Sequence, residues 1–104
     1  DYWQRVDWQR WPNWTAFREA IPLNARFWYI ESGGPRTYFD VRFGADDYLV
    51  FGRETAGLPT AWLEKNPAVW LSIPMLNPEA RSLNLSNCVA IVLFEALRQQ
   101  GFPD

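Results

Sequence analysis

The sequence predicts an α/β domain with a mostly parallel sheet flanked by helices. Short apolar runs that suit buried strands alternate along the chain with segments of helical character. Strands buried on both faces have continuous apolar runs, and alternating strands and helices build parallel sheets. The length of 104 residues suits one domain, and we expect residues 1–104 to form it.

The first third of the chain is predicted to form a helix, a strand and a tight loop. Asn13 can cap a helix from Trp14 to Ala20, because its side chain can accept from the amides at a helix start. The apolar run RFWYI, from Arg26 to Ile30, is typical of a short strand. It leads into Glu31–Pro35, where Ser, Gly and Pro favour a tight loop.

The middle of the chain is predicted to contain two further strands and a second helix. Tyr38 to Phe43 has an alternating pattern, which predicts a strand. Asp47 to Phe51 (DYLVF) is typical of a buried strand, and it ends at Gly52. Pro59 suits the first turn of a helix that reaches about Lys65.

The last third is predicted to contain a strand and the longest helix. Val69 to Ile73 (VWLSI) is a short apolar run that Pro74 stops. A helix follows from about Leu83 to Gln100, and Gly101 is a natural C-terminal stop. Its apolar residues follow helical spacing at Leu85, Val89, Val92, Leu93 and Ala96.

Composition excludes several kinds of chemistry. The chain has no histidine and one cysteine, Cys88, which excludes Ser-His and Cys-His nucleophiles, a CxxC metal site and an intramolecular disulfide. We therefore expect no metal and a reducing, cytoplasmic environment. The longest apolar stretch, Cys88 to Phe94, is too short for a membrane span. The net charge of −2 does not indicate nucleic-acid binding, although nine of the ten basic residues are Arg, which suits phosphate contacts. Codon bias is the alternative explanation of this preference.

Three loops that follow predicted strands are rich in Gly, Pro, Ser or Asn: Glu31–Pro35, Gly52–Pro59 and Pro74–Asn84. Ligands of parallel sheets usually bind after the carboxyl ends of the strands, so we expect the functional site there. Gly52–Pro59 (GRETAGLP) has the glycine spacing of a phosphate-binding P-loop but lacks the Lys and Ser/Thr that must follow. A simple strand-to-helix turn with Glu54 in solvent is the alternative explanation.

The segment RSLNLSN, residues 81–87, places five polar side chains before the most apolar helix. Ser82 or Asn84 can cap that helix, and Ser86 and Asn87 can satisfy backbone groups of its first turn. Capping explains one or two of these side chains but gives Arg81 no role.

FGRETAGLP, followed further along by IPM and RSLNLSNCVAIVLFEALRQ, closely resembles motifs 2 and 3 of the SPOUT methyltransferases. The match is closest to the TrmL-like family of tRNA (cytidine/uridine-34)-2′-O-methyltransferases. The DYW start, RFWYIESGG, DDYLVFG and QQGFP also align with that family, so the resemblance covers nearly the whole chain. The two loop motifs are specific because two long strings must match in order.

The resemblance implies a SPOUT-type α/β knot, in which a deep C-terminal trefoil knot binds S-adenosylmethionine in a bent form. Carried onto this sequence, it implies that Arg81 is the catalytic residue. It also implies cofactor-binding roles for Ile30, Gly52, Glu54, Gly57, Ile73, Met75, Ser82, Asn84 and Asn87.

The properties of these residues agree with the implied roles. Adenine needs a dry slot with backbone donors and acceptors, which strand ends rich in Leu, Ile and Pro supply. Gly52 permits a backbone approach that a side chain would block. Asn84 and Asn87 can bridge crossing chain segments through their amides. Glu54 can accept from backbone amides or Asn84, and this structural role is the alternative to direct catalysis.

The implied activity is methylation of the ribose 2′-hydroxyl of the tRNA wobble nucleotide, in the anticodon stem-loop. Because the chain has no histidine, Arg81 is the candidate within the two motifs for easing deprotonation of that hydroxyl. Another SPOUT RNA ribose methyltransferase, acting on rRNA or a different tRNA site, is one alternative. A module that binds RNA or cofactor without turnover is the other.

The chain departs from the family in two ways. Family members begin with a strand-helix-strand unit that carries motif 1, and this chain starts after it, so the Asn and Arg of that motif have no counterpart here. The last helix of the family often carries Tyr where this chain has Phe94, so a hydroxyl that could touch cofactor or RNA is absent.

A homodimer is predicted from the last helix. Its apolar residues, Cys88, Val89 and Ile91 to Phe94, cover most of its circumference, and such a helix must be covered on all sides. The tryptophan-rich start offers further apolar surface of the kind enriched at interfaces. In the family this helix packs against its symmetry mate, and the RNA site is thought to span both subunits. Coverage by the missing N-terminal unit is the alternative.

Overall fold

Four parallel strands form the sheet in the described part of the chain. The computed structural model describes residues 7–53, 55–74 and 84–103. The strand order in space is β2-β4-β1-β3, and each neighbouring pair is parallel. The predicted α/β class with a mostly parallel sheet is therefore confirmed. The strands are β1 (Phe27–Ile30), β2 (Arg36–Thr37), β3 (Tyr48–Phe51) and β4 (Trp70–Ser72).

Three α-helices in the described residues accompany this sheet: α1 (Trp14–Ala20), α2 (Thr60–Lys65) and α3 (Leu85–Gln99). The bounds of α1 are those predicted, and Asn13 Oδ1 accepts from the Ala16 amide at 2.8 Å as its cap. α2 begins directly after Pro59, which is its N-cap. The predicted start of the last helix, Leu83, lies outside the described residues. Gly101 follows α3 with a φ of 79°, which fits the predicted C-terminal stop.

The two faces of the sheet bury different side chains, because successive residues of a strand point to opposite faces. Phe27 and Tyr29 of β1 lie on the face where the rings of Trp14 in α1 and Trp62 in α2 contact them. Trp28 and Ile30 lie on the other face, in the hydrophobic core with α3. That core consists of Trp28, Ile30, Val41, Phe43, Leu71 and Val92.

The predicted strand from Tyr38 to Phe43 is wrong. Tyr38–Asp40 forms a 3-10 turn, and the short edge strand β2 precedes it. The alternating pattern reflects the burial of Val41 and Phe43, whose backbone groups bond to side chains of α3 instead of to a strand. The Gln99 side chain donates to the Val41 carbonyl and accepts from the Phe43 amide, both at 2.8 Å.

The apolar residues of α3 are not confined to one buried stripe, as the sequence predicted. Val92 is fully buried, and Ala96 packs against the core. Leu93 is 45% exposed and Phe94 is 62% exposed, so part of the apolar surface of α3 faces outward. The Phe94 ring lies 5.0 Å from the ring of Phe102, which is also exposed. We call Leu93, Phe94 and Phe102 the Phe94 patch.

Candidate functional site

The register of the sheet brings three strand ends together. Ile30, the last residue of β1, pairs with Phe51 of β3 on one side and with Leu71 of β4 on the other. The chain leaves these strands at Glu31, Gly52 and Ile73, on one edge of the sheet. The three loops predicted to carry function therefore begin side by side, as expected at the carboxyl ends of parallel strands.

Gly52 packs against the turn that follows it. A Cβ atom at Gly52 would lie far inside the contact distance of backbone atoms of Gly57 and Leu58. The Gly57 amide closes the turn by donating to the Arg53 carbonyl at 2.8 Å, and Gly57 has a φ of 69° in the left-handed region that favours glycine. The group that approaches Gly52 is the backbone of its own loop, so its lack of a side chain does not by itself indicate a ligand.

Glu31 is a site residue that the sequence did not single out. Its Oε1 accepts from the Leu58 amide at 2.6 Å, and its own amide donates to the Leu71 carbonyl at 3.0 Å. Its carbonyl accepts from the Trp70 indole at 3.0 Å. The bond to Leu58 joins residues 27 positions apart, so no local pattern could reveal it. The available signal was a carboxylate placed directly after a central strand and near a glycine-rich loop.

The start of α3 carries two of the predicted site residues, Asn84 and Asn87. Asn84 Oδ1 accepts from the Asn87 amide at 2.9 Å, so capping of the helix by Asn84 is confirmed. The Asn87 side chain is exposed, and Cys88 is half-buried. Burial, and then the nearby charge of Glu31, raise the pKa of the Cys88 thiol.

The predicted cofactor residues divide into those that the structure describes and those that it does not. Ile30 is buried in the core, and Ile73 is half-buried against it, so of the two Ile73 keeps accessible apolar surface near the strand ends. Gly52 and Gly57 lie in the adjoining turn. Four predicted site residues lie outside the described residues, and their roles stay predictions: Arg81, Glu54, Met75 and Ser82.

The described ranges hold neither a metal-binding cluster nor a membrane-spanning helix. Within residues 7–53, 55–74 and 84–103, no group of three or more His, Cys, Asp or Glu side chains could hold a metal ion. No helix found in these ranges has the length and apolar character needed to cross a membrane.

The described part of the chain is a parallel α/β domain whose loops gather at adjacent strand ends. Proteins of this class bind their ligands at that edge of the sheet. Comparison with protein families matches residues 1–94 to the SpoU rRNA Methylase family. The chain belongs to this family.

Individual relatives agree with this assignment. A tRNA (cytidine(34)-2′-O)-methyltransferase from Aeromonas hydrophila subsp. hydrophila is 41% identical over 103 residues, which cover 98% of this chain and 65% of that protein. A solved structure that gives structural insights into the 2-OH methylation of C/U34 on tRNA has a TM-score of 0.88 and 40% identity. It matches 97% of this chain and 61% of its own.

A more distant solved structure contains a ligand. The SpoU methyltransferase AviRb from Streptomyces viridochromogenes, in complex with the cofactor AdoMet, has a TM-score of 0.66 and 33% identity. The match covers 86% of this chain and 35% of that one. The chain also spans 61% and 57% of two further curated relatives, from Listeria monocytogenes and Lactobacillus gasseri, which is about three fifths of their length.

Proposed function

We propose that the protein uses S-adenosylmethionine to methylate the ribose 2′-hydroxyl of nucleotide 34 in the anticodon stem-loop of tRNA. The observation that carries the proposal is the similarity over 97–98% of the chain, at 40–41% identity, to proteins described by that reaction. The geometry supports it, because the two loops that resemble the family's motifs follow β3 and β4, whose ends lie on either side of the end of β1.

The described residues fit the cofactor. Ile73 offers apolar surface beside the core that contains Ile30, and apolar surface next to a tightly closed backbone turn suits a flat heteroaromatic ring. When bound, S-adenosylmethionine supplies an activated methyl group on a sulfonium. We propose that the binding residues are Ile30, Gly52, Gly57, Ile73, Asn84 and Asn87, together with Glu54, Met75 and Ser82.

The proposed work of the protein is mainly to position the substrate. Holding a ribose hydroxyl in line with the methyl group removes much of the entropic barrier to transfer. We propose that the guanidinium of Arg81 faces this hydroxyl and stabilises the negative charge that develops on its oxygen as the proton passes to solvent. The C–O bond would form as the bond between the methyl group and the sulfur breaks, so that S-adenosylhomocysteine is the leaving group. Arg81 suits this role because an arginine stays protonated and presents several donors to an oxyanion or a phosphate.

The wider properties proposed for the protein are a single domain over residues 1–104, a deep C-terminal trefoil knot, a cytoplasmic location and a homodimer. The exposed Phe94 patch, formed by α3 and the residues after it, supports the homodimer, because an apolar surface of this kind favours a partner. The family resemblance supports the other three.

Methyl transfer from labelled S-adenosylmethionine to unmodified tRNA tests the proposal. We expect label on the ribose of nucleotide 34, located by digestion of the product, and none on tRNA that already carries a 2′-O-methyl group there. Transfer to ribosomal RNA instead would establish the second candidate, which the description of the matched family favours. Cofactor binding without transfer to either RNA would contradict the assignment as an enzyme.

A further inference from the structure

We infer that Glu31 is a positioning residue for the methyl donor, and that it acts by holding Gly57 and Leu58 against the ends of β1 and β4. The inference rests on the proposed function, because it assigns Glu31 a role in the same site.

The backbone of Glu31 is fixed on both sides. Its amide donates to the Leu71 carbonyl at 3.0 Å, which continues the β1–β4 pairing beyond Ile30. Its carbonyl accepts from the indole of Trp70 at 3.0 Å. The side chain of Glu31 therefore extends from a fixed point on the sheet, although it lies in a loop.

The carboxylate of Glu31 holds the turn directly. Oε1 accepts from the Leu58 amide at 2.6 Å, a short distance that is typical of a charge-assisted hydrogen bond. Leu58 is 8% exposed, so without Glu31 its amide would be a largely buried donor lacking this acceptor. The position of the turn thus depends on the carboxylate.

The turn is also fitted closely around the carboxylate. A Cβ atom at Gly57 would collide with Glu31 Oε1, so the carboxylate fills the space that a side chain at that position would need. Gly57 and Leu58 in turn pack on the backbone of Gly52. A displacement of the Glu31 oxygens would therefore shift the residues proposed to bind the methyl donor.

The geometry favours a role in binding over a role in the chemical step. The two carboxylate oxygens accept from backbone amides, Oε1 from Leu58 and Oε2 from Ser32 at 3.3 Å. A carboxylate engaged in this way is poorly placed to take a proton from the substrate. Loss of the Leu58 contact should raise the KM for the donor and leave kcat nearly unchanged.

Three substitutions at Glu31 in the full-length protein test the inference. Glu31→Ala removes the acceptor, Glu31→Asp keeps the charge but shortens the side chain by one methylene, and Glu31→Gln keeps an acceptor at full length. The exposed Glu64 on α2 provides the control variant Glu64→Ala. Calorimetry gives the dissociation constant of S-adenosylmethionine, labelled methyl transfer gives KM and kcat, and thermal unfolding reports the fold.

We expect Glu31→Ala and Glu31→Asp to bind the donor about 10- to 100-fold more weakly, the loss typical of one hydrogen bond to a charged group. We expect kcat within about threefold of the wild type, and Glu31→Gln to recover most of the affinity, because its amide oxygen can still accept from Leu58.

Wild-type affinity in folded Glu31→Ala and Glu31→Asp would overturn the inference and leave the proposed function standing. If Glu31→Ala does not fold, the affinity of Glu31→Asp for the donor decides the question. If neither variant folds, Glu31 is needed for the stability of the fold, and the positioning role is overturned. A wild-type protein that binds no donor would instead defeat the proposed function, and the inference with it.

Discussion

Gly52 shows how a single missing Cβ atom shapes the site. In Gly52→Ala the new methyl group would collide with the backbone of Gly57 and Leu58, which cannot swing aside as a flexible side chain can. We expect a loss of about 1–3 kcal/mol in the free energy of unfolding, as for other overpacked positions. We also expect weaker binding of S-adenosylmethionine, measured by calorimetry.

Gly101→Ala is the matched control for Gly52→Ala. A Cβ atom there would meet nothing within 4 Å, but the φ of 79° makes alanine unfavourable by about 1–2 kcal/mol. We expect this variant to lose stability and keep its affinity for the donor. Unchanged affinity in Gly52→Ala would show that donor binding does not need the packed turn.

The second prediction for a single residue concerns the proposed catalytic role of Arg81. We expect Arg81→Ala to slow methyl transfer by roughly 30- to 1,000-fold, because one charge-assisted contact made mainly in the transition state is worth about 2–4 kcal/mol. Donor affinity should stay within a few-fold of the wild type. Single-turnover transfer and calorimetry measure the two quantities.

Arg42→Ala is a suitable control for Arg81→Ala. Arg42 is exposed and lines a cavity with Gln99, at the end of α3 opposite Asn84. Its removal should leave transfer unchanged unless the RNA reaches that end of the helix. Wild-type turnover in Arg81→Ala would show that another residue of the protein has the catalytic role.

At the scale of secondary-structure elements, the contact between α3 and the segment from Val41 to Phe43 is expected to stabilise the fold. Gln99 bonds to the Phe43 amide and the Val41 carbonyl at 2.8 Å each, in place of a neighbouring strand. Gln99→Ala leaves these partly buried groups without that partner, so we expect a loss of about 1–3 kcal/mol in urea unfolding.

Asn66→Ala provides the comparison for Gln99→Ala. The Asn66 side-chain amide donates to the Trp62 carbonyl at 2.9 Å, but that bond is exposed. Water can replace it, so we expect a loss below about 1 kcal/mol. Equal losses in the two variants would mean that Gln99 does not hold the segment in place.

α3 also makes a pH-dependent contribution to the stability of the fold, through Glu95. Hydrogen bonds from Arg98, and then from Gln99, lower the pKa of Glu95 from 4.5 to about 2. A group whose pKa is lower in the folded state stabilises the fold above its unfolded pKa. We therefore expect this contribution to be complete above about pH 4.5 and to be lost as the pH falls toward 2.

Urea unfolding between pH 6 and pH 3 measures this effect. The wild type should lose more stability on acidification than Glu95→Gln, which has no carboxylate to protonate at that position. Glu19→Gln changes an exposed carboxylate on α1 and serves as the control. Identical pH profiles for the wild type and Glu95→Gln would contradict the assignment.

At the scale of the whole molecule, the Phe94 patch predicts self-association. Phe94 is 62% exposed and Phe102 is 48% exposed, with their rings in contact at 5.0 Å. We expect light scattering to give the mass of a dimer at micromolar concentration. Phe94→Glu should give a monomer, because it would place a charge without a partner in the interface.

Leu23→Glu is the control for the Phe94 substitution. Leu23 is the most exposed of the large apolar residues in the described ranges, at 97%, and it lies outside the patch. The dimer should survive this change. A monomer mass for the wild-type protein would contradict the proposed dimer. Loss of the dimer in both variants would show that the Phe94 patch is not specifically responsible for it.

The sequence by itself determined the features that depend on neighbouring residues. The cap at Asn13, the stop at Gly101 and the apolar runs of β1, β3 and β4 each follow from a few adjacent side chains. The α/β class follows from the order of these runs, and the clustering of the three loops follows from parallel pairing. The family also followed from the sequence, because its motifs are contiguous strings.

The tertiary structure alone decided the features that depend on distant residues. Gln99 reaches back 56 positions to the Phe43 amide, which keeps a buried, alternating segment out of the sheet. Glu31 reaches forward 27 positions to the Leu58 amide, which makes it part of the site. Leu93 lies outward although its spacing fits the core. Buried backbone groups must find partners and apolar surface must find cover, and only the folded chain determines which distant residues supply them.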